Sequence, residues 1–370
     1  MKHWGIYRFA LKFKKIGKHP GGETLPEGVE HTLRKYRVMG ASLALFDVNG
    51  LERICSYGWA RKNVPVQEDT LFRTASVSKH ITALCVMKLW EQGLLDLDAD
   101  ISSSLPFPLR HPGAPDTPIT LRMLLSHTAG IRDGRAYFEQ LEKGGTLSEI
   151  LRGDSFCDHL PGTKWEYSNL GAGIIGCVLE GMTGLRFDEV MERTVFAPLG
   201  VRAGFYPQAL GGKLADAWRI LPASKGPCYD AAERLSRPLP LKGPDPEHHY
   251  ALAHGNLCIT ARDLAVLGWS LLVPGFLKAE TLKEMRKVIV PFGERAFNLS
   301  QGLGTFVLKD DSISPCTVYG HQGLAYGAVH GIFYNPARGR GFVLLTTGAS
   351  EARRGVLTDL NGELIRDLIG

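Results

Sequence analysis

No apolar run in the chain reaches the roughly 18 residues that a membrane-spanning helix requires, so no spanning segment is expected. Cysteines at CxxC spacing are missing as well. The seven present (Cys55, Cys85, Cys157, Cys177, Cys228, Cys258, Cys316) are odd in number and widely scattered, which signals neither a zinc site nor a disulfide framework. Most lie in apolar contexts, where a thiol behaves as a small core residue. There is no HExxH, so the group His248, His249 and His254 does not read as a metal centre. No GxSxG elbow, Walker loop or GxGxxG follows a predicted strand, and neither metal nor cofactor is expected. Internal repeats and low-complexity blocks are absent too.

The body of the chain also lacks an excess of charge. The net charge of +5 is concentrated in residues 1–20, which hold six Lys/Arg and no acid, while the remainder carries 37 basic against 38 acidic residues. A nucleic-acid surface on the fold is therefore excluded. Within residues 4–18, Ile6, Phe9, Phe13 and Ile16 would share one helical face, and Arg8, Lys12 and Lys15 another. That pattern suits a helix lying on an anionic membrane surface, with an arm docked on the body or a loose chain end as the plainer alternative. The segment lacks the continuous apolar centre and small-residue cleavage site of a secretory signal, so cytoplasmic residence, peripheral to a membrane at most, is the expectation.

What is present is a chain of 370 residues with strand signals at both ends and helical patterns between. Asn49-Gly50 between ASLALFDV and LERICSYGWA is a strong hairpin signal. Helical periodicity fills much of 95–255, and extended segments return in QGLGTFVL, CTVYG, AVHGIFYN and GFVLLTTG. Val356, Leu357, Leu360, Leu364 and Leu368 make one face of a C-terminal helix. The expected fold is α/β (α+β): an antiparallel sheet flanked by N- and C-terminal helices, with an inserted helical lobe. The basic segment occupies 1–21, the α/β lobe 22–79 and 256–370, and the helical lobe 80–255. The proline-rich stretch near 205–250 reads as a lid or substrate loop, and a cleft between the lobes is the natural place for a site.

Three short stretches carry chemistry. In TASVSK, Ser76 opens an apolar helix that stops at Gly93, with Lys79 one turn on and on the same face. That arrangement is either capping chemistry beside a solvated lysine, or a nucleophile with its base. A lysine acts as base only when mostly neutral, which burial, the positive helix end or a second cation would favour. In KWEYSNLGAGIIG, Tyr167 is a candidate proton relay and Asn169 a candidate anchor for both lysine and substrate, while Ser168 or Asn169 as a helix cap is the plain alternative. In YGHQGLAYGA, read as a strand start, Gly323 would let substrate approach the backbone. The N–H of Leu324 could join that of Ser76 in an oxyanion hole, and His321 could position a substrate. A histidine in a strand is also commonly a satisfied structural residue. His127 in LLSHTAG reads as a support of the helical lobe, and Trp165 and Tyr250 as cleft or core aromatics.

Together and in this order, SVSK, YSN about 90 residues on and HQG about 150 further resemble the serine β-lactamase and penicillin-binding-protein superfamily. The similarity is greatest to the branch holding class C β-lactamases, D-amino-acid peptidases and amidases, and related esterases. LFRTASVSKHITAL, LDLDADISSSLP, ITLRMLLSHTAGI, VFAPLGV and GNLCITARDLA extend it over about residues 70–350. The resemblance implies Ser76 as the acylated nucleophile, Lys79 and Tyr167 sharing the acid/base work, Asn169 as a polar anchor, and the N–H groups of Ser76 and Leu324 as the oxyanion hole. Typical β-lactamases begin the third motif with lysine, whereas this chain has His321, as peptidase, amidase and esterase members do. A neutral imidazole holds a carboxylate less firmly than a fixed ammonium, so efficient β-lactam hydrolysis is not expected. The implied activity is a serine hydrolase cleaving a small amide, peptide or ester through an acyl-enzyme. An acyltransferase shares every step up to that intermediate, and a non-catalytic binding or sensor module would require decay of at least one motif.

Overall fold

The computed structural model describes residues 23–211, 213–220, 242–291 and 298–370. The basic N-terminal segment and the central part of the proline-rich stretch, 221–241, lie outside the described residues.

Nine strands build one sheet: β1 (Gly40–Asp47), β2 (Gly50–Arg61), β3 (Val64–Pro65), β4 (Val290–Pro291), β5 (Leu299–Gln301), β6 (Phe306–Leu308), β7 (Val318–Ala325), β8 (Ala328–Asn335) and β9 (Arg340–Gly348). Their order is β3-β2-β1-β9-β8-β7-β6-β5-β4, with neighbours antiparallel. The first and last thirds of the chain thus meet at the β1–β9 pair, where Leu43 faces Leu344. The first hairpin turns one residue earlier than the Asn-Gly signal suggests. Asp47 pairs with Gly50, Val48 and Asn49 form the loop, and the Asp47 carboxylate accepts the Asn49 N–H at 2.7 Å. That local bond stabilises the turn ahead of the glycine.

Five helices matter for the site: α1 (Val29–Lys35), α2 (Val77–Glu91), α3 (Asn169–Thr183), α4 (Ala261–Leu272) and α5 (Asp359–Leu368). Successive strand residues point to opposite faces, so both faces of the sheet are apolar. Phe333, Phe342 and Leu344 pack under α1 and α5, against Val29, Leu33, Leu360, Leu364 and Ile365. Ile332, Tyr334, Val343 and Leu345 face the other way, into the core that includes α2 and α4. The C-terminal helix begins later than its periodicity implies: Leu357–Thr358 forms a short strand, and the Thr358 hydroxyl caps α5 by accepting the Asn361 N–H.

Helix α2 is buried on nearly every side, which matches its apolar sequence. Helix α3 packs backbone to backbone with its neighbours. A Cβ at Gly173 would lie 2.0 Å from the Tyr250 carbonyl oxygen, and one at Gly181 would lie 1.8 Å from that of Ser104. This close approach accounts for Gly173 and Gly181. Part of the expected lid is held in the body: Lys213–Leu214 runs parallel to Thr70–Leu71, and just before the lid Ala203–Gly204 pairs with Cys258–Ile259. His249 and Tyr250 are buried, and the Tyr250 hydroxyl donates to the Gly145 carbonyl. No single helix among the described residues is long and apolar enough to cross a membrane.

Candidate active site

The strand Thr70–Arg73 ends in a turn that delivers Ser76 to the start of α2. Thr74 N–H donates to Leu257 O at 2.8 Å, and Ala75 adopts a left-handed φ of 49° before the helix begins. That conformation costs an alanine about 1–2 kcal/mol. The neighbouring hydroxyls bond to one another and to the backbone: that of Ser78 donates to Ala75 O at 2.7 Å and lies 3.2 Å from that of Thr74. Ser76 itself makes no side-chain cap. Its Oγ instead meets Lys79 Nζ at 3.0 Å and the Tyr167 hydroxyl at 2.8 Å. The capping alternative for Ser76 is therefore wrong.

Lys79 is buried, and its Nζ has two further partners, Asn169 Oδ1 at 2.8 Å and His254 O at 2.6 Å. Both accept only. Loss of solvent lowers the lysine pKa to about 7, with the Asp133 charge pulling it up and the Arg73 charge pushing it down. A neutral amine has two N–H bonds and one lone pair. With both hydrogens given to Asn169 and His254, the lone pair falls on the Ser76 hydroxyl. The same burial holds the Tyr167 phenol well above its ordinary pKa, against the pull of its bond to Ser76. Tyrosine protonated and lysine close to neutral is the pairing this environment favours.

The second motif divides its work between neighbouring residues. The Ser168 hydroxyl caps α3 by accepting Gly171 N–H at 2.9 Å, which leaves the Asn169 side chain free to reach Lys79. Asp133 orients that amide. Its carboxylate accepts Asn169 Nδ2 at 2.7 Å, Leu170 N–H at 2.9 Å and the Ser168 hydroxyl at 3.1 Å. Asp133 was not legible in the sequence, where it belongs to none of the three motifs. His127, also at positive φ (56°), accepts Ser168 N–H on Nδ1 at 3.3 Å and sets its ring 4.6 Å from that of Tyr167. Burial, followed by the Lys79 charge, lowers its pKa to about 3, so it is a neutral support for the tyrosine. Trp165 flanks the same two rings.

The third motif lies in mid-strand, not at a strand start. Tyr326 (φ 56°) and Gly327 (φ 95°) form the two-residue turn between β7 and β8, so Ala325 and Ala328 are a hydrogen-bonded pair. The alternation then turns the Leu324 N–H away from β8, consistent with Val329 N–H donating to Thr346 Oγ1 instead. Strand β6 pairs with β7 only as far as Gly320, and the Ser76 turn occupies the edge beyond it. A Cβ on Gly323 would come 2.3 Å from Thr74 O and 3.2 Å from Ser76 N. Gly323 therefore admits the nucleophile turn to the strand. The Ser76 N–H has no acceptor among the described residues. His321 is not presented to the cleft: its ring is 1% exposed, stacks 4.2 Å from Phe306 and points Nδ1 at Gln322 O. Burial keeps it neutral, with a pKa far below the usual histidine range. The group His248, His249 and His254 does not converge: His248 bonds Asp245, His249 bonds Glu180, and His254 Nε2 meets the Tyr137 hydroxyl at 3.1 Å.

A Ser–Lys–Tyr cluster built on a buried lysine, between an antiparallel sheet and a group of helices, defines a class, that of the serine β-lactamases and penicillin-binding proteins. The Beta-lactamase family model matches residues 26–365, and the chain belongs to that family. Penicillin-binding protein 4 of Amycolatopsis lactamdurans is 27% identical over 91% of this chain and 86% of its own length. Protein flp of Staphylococcus aureus (strain MRSA252) is 29% identical over 46% of this chain, and the match spans 35% of its length. Among solved structures, EstCE1, described as a hydrolase with promiscuous acyltransferase activity, superposes with a TM-score of 0.72 at 26% identity, covering 92% of this chain and 96% of its own. The D-amino acid amidase of Ochrobactrum anthropi SV3 does so at 0.70 and 25%, with the same coverage. The chain spans about a third of the length of the Staphylococcus aureus relatives it matches.

Proposed function

We propose that the protein cleaves a small amide, peptide or ester through an acyl-enzyme on Ser76. The observation that carries this reading is the bonding of Lys79, whose two acceptor-only partners leave its lone pair for the Ser76 hydroxyl. Lys79 takes the serine proton as Oγ attacks the substrate carbonyl carbon. The carbonyl oxygen becomes an oxyanion held by the N–H groups of Ser76 and Leu324. Tyr167, protonated and 2.8 Å from Oγ, gives its proton to the leaving amine or alcohol as the C–N or C–O bond breaks, and recovers one from Lys79. Water then attacks the acyl-enzyme by the same route in reverse, releasing the acid and free Ser76. Asn169 holds Lys79 and presents its amide to the substrate. His321, neutral and buried, offers no fixed cation to a β-lactam carboxylate, so β-lactam turnover is expected to be poor.

Transfer of the acyl group to an alcohol or amine is the second reading, favoured by the acyltransferase activity ascribed to EstCE1. Partition of products with added alcohol separates the two. The primary test is intact-mass analysis after treatment with a fluorophosphonate, beside Ser76→Ala. One adduct mapped to Ser76 and missing from the variant is expected. An equal adduct on folded Ser76→Ala would remove Ser76 as the nucleophile.

A further inference from the structure

The loop that leads into Tyr167 carries a second cluster of reactive side chains, unconnected with the acyl chemistry. We propose that Cys157, His159 and Glu166 bind a zinc-type divalent cation. One ligand atom from each lies within 4.8 Å of the other two. Tetrahedral zinc needs separations of about 3.3–3.8 Å between sulfur, nitrogen and oxygen ligands, so closure by about 1 Å completes the set.

Two features single this cluster out. His159 has Nδ1 turned to Leu160 O at 3.5 Å, and the tautomer protonated on Nδ1 places the lone pair on Nε2. That Nε2 is buried and has no hydrogen-bond partner among the described residues. A buried imidazole nitrogen with no hydrogen-bond partner among the described residues, beside a thiol and a carboxylate, is a donor suited to a metal ion. Cys157 is also fixed before any cation arrives, with its N–H on Gly130 O at 2.9 Å and its carbonyl 3.0 Å from His111 Nε2. Glu166 is exposed and forms no ion pair among the described residues. Thiolate plus carboxylate neutralise a divalent charge, and the donor set of sulfur, nitrogen and oxygen suits zinc or cobalt in preference to magnesium or calcium. Binding releases the Cys157 thiol proton to solvent and leaves the fourth position to water.

The cation would tie both ends of the 157–166 loop together, next to Tyr167. It therefore acts as a brace for the loop, and its ligands take no part in the reaction. The test uses the chelator-treated full chain with Zn²⁺ in equilibrium dialysis, and with Co²⁺ in absorption spectroscopy. One equivalent of metal, a near-ultraviolet thiolate-to-cobalt band and a raised Tm on Zn²⁺ addition are expected. Cys157→Ser should abolish the band. Glu166→Gln, at an exposed position where folding is safe, should weaken Zn²⁺ binding at least tenfold. Absence of stoichiometric binding, or binding and band unchanged in both variants, would overturn the proposal, because six other cysteines would then be the source.

Discussion

The protonation of Lys79 sets the pH profile, and Asp133 provides the lever on it. Burial lowers the lysine pKa from 10.5 to about 7, a penalty on the ammonium of roughly 5 kcal/mol at 1.36 kcal/mol per unit. About half of the enzyme is then base-competent at pH 7 and only about 1% at pH 5. For a neutral ester, kcat/KM should fall tenfold per pH unit below 7. Asp133 opposes this shift through its charge. Asp133→Asn should therefore move the acid limb to lower pH, by about one unit on the scale of nearby charges. Its plateau should also drop, since the Asn169 amide loses its anchor. The assay is steady-state hydrolysis of a p-nitrophenyl ester, read where nitrophenol and nitrophenolate absorb equally. A merely structural Asp133 would lower the plateau without moving the limb. A limb at the same place in both proteins would refute the electrostatic role of Asp133, and a profile flat from pH 5 to 8 would refute Lys79 as the base. The linkage has a matching sign in stability. Between pH 7 and 10.5 the unfolded chain protonates Lys79 and the folded chain does not, so this residue's contribution to stability rises with pH across that window. In urea titrations, the stability of Lys79→Met relative to the parent should improve by several kcal/mol from pH 10 to pH 7.

Two further outcomes follow from the same geometry. Gly323→Ala places a methyl 2.3 Å from the Thr74 carbonyl oxygen and must displace the Ser76 turn, so kcat should fall about a hundredfold with far-ultraviolet circular dichroism retained; near-parental kcat would refute the close-approach role. Acid should destabilise the fold well before the carboxylates titrate. Burial lowers the pKa of His80 to about 4 and those of His127 and His330 to about 3, so their contribution is whole above the unfolded value near 6.5 and is lost as pH falls below it. Three protons taken up only on unfolding give about 4 kcal/mol per pH unit between pH 6 and 4, measurable by urea denaturation, and a slope near zero would show these rings to be solvated.

Much of the architecture was legible because local patterns have local causes. The apolar run after Ser76 became α2 because burial on every side demands such a sequence, and the hairpin and C-terminal strands followed from alternation and turn residues. The errors also have physical reasons. The first turn moved one residue because an Asp47 side-chain bond outweighed the glycine signal. His321 reads as lying at a strand start, but the strand begins earlier, at Val318, and the ring turns into the core against Phe306.

The sequence by itself determined the type and order of the site's parts: a serine and lysine one helical turn apart, a tyrosine and asparagine at the start of another helix, and a glycine in a strand. Spacing within one helix fixes the Ser76–Lys79 contact, since residues three apart share a face. Only the tertiary structure decided what those parts can do. The lysine is depressed toward neutrality because the lobes close over it, and its lone pair is aimed because Asn169 and His254, 90 and 175 residues away, accept its two hydrogens. Asp133 belongs to the same set for the same reason. Desolvation and three-dimensional hydrogen-bond direction depend on what the rest of the chain packs around a residue, and no stretch of sequence contains that on its own.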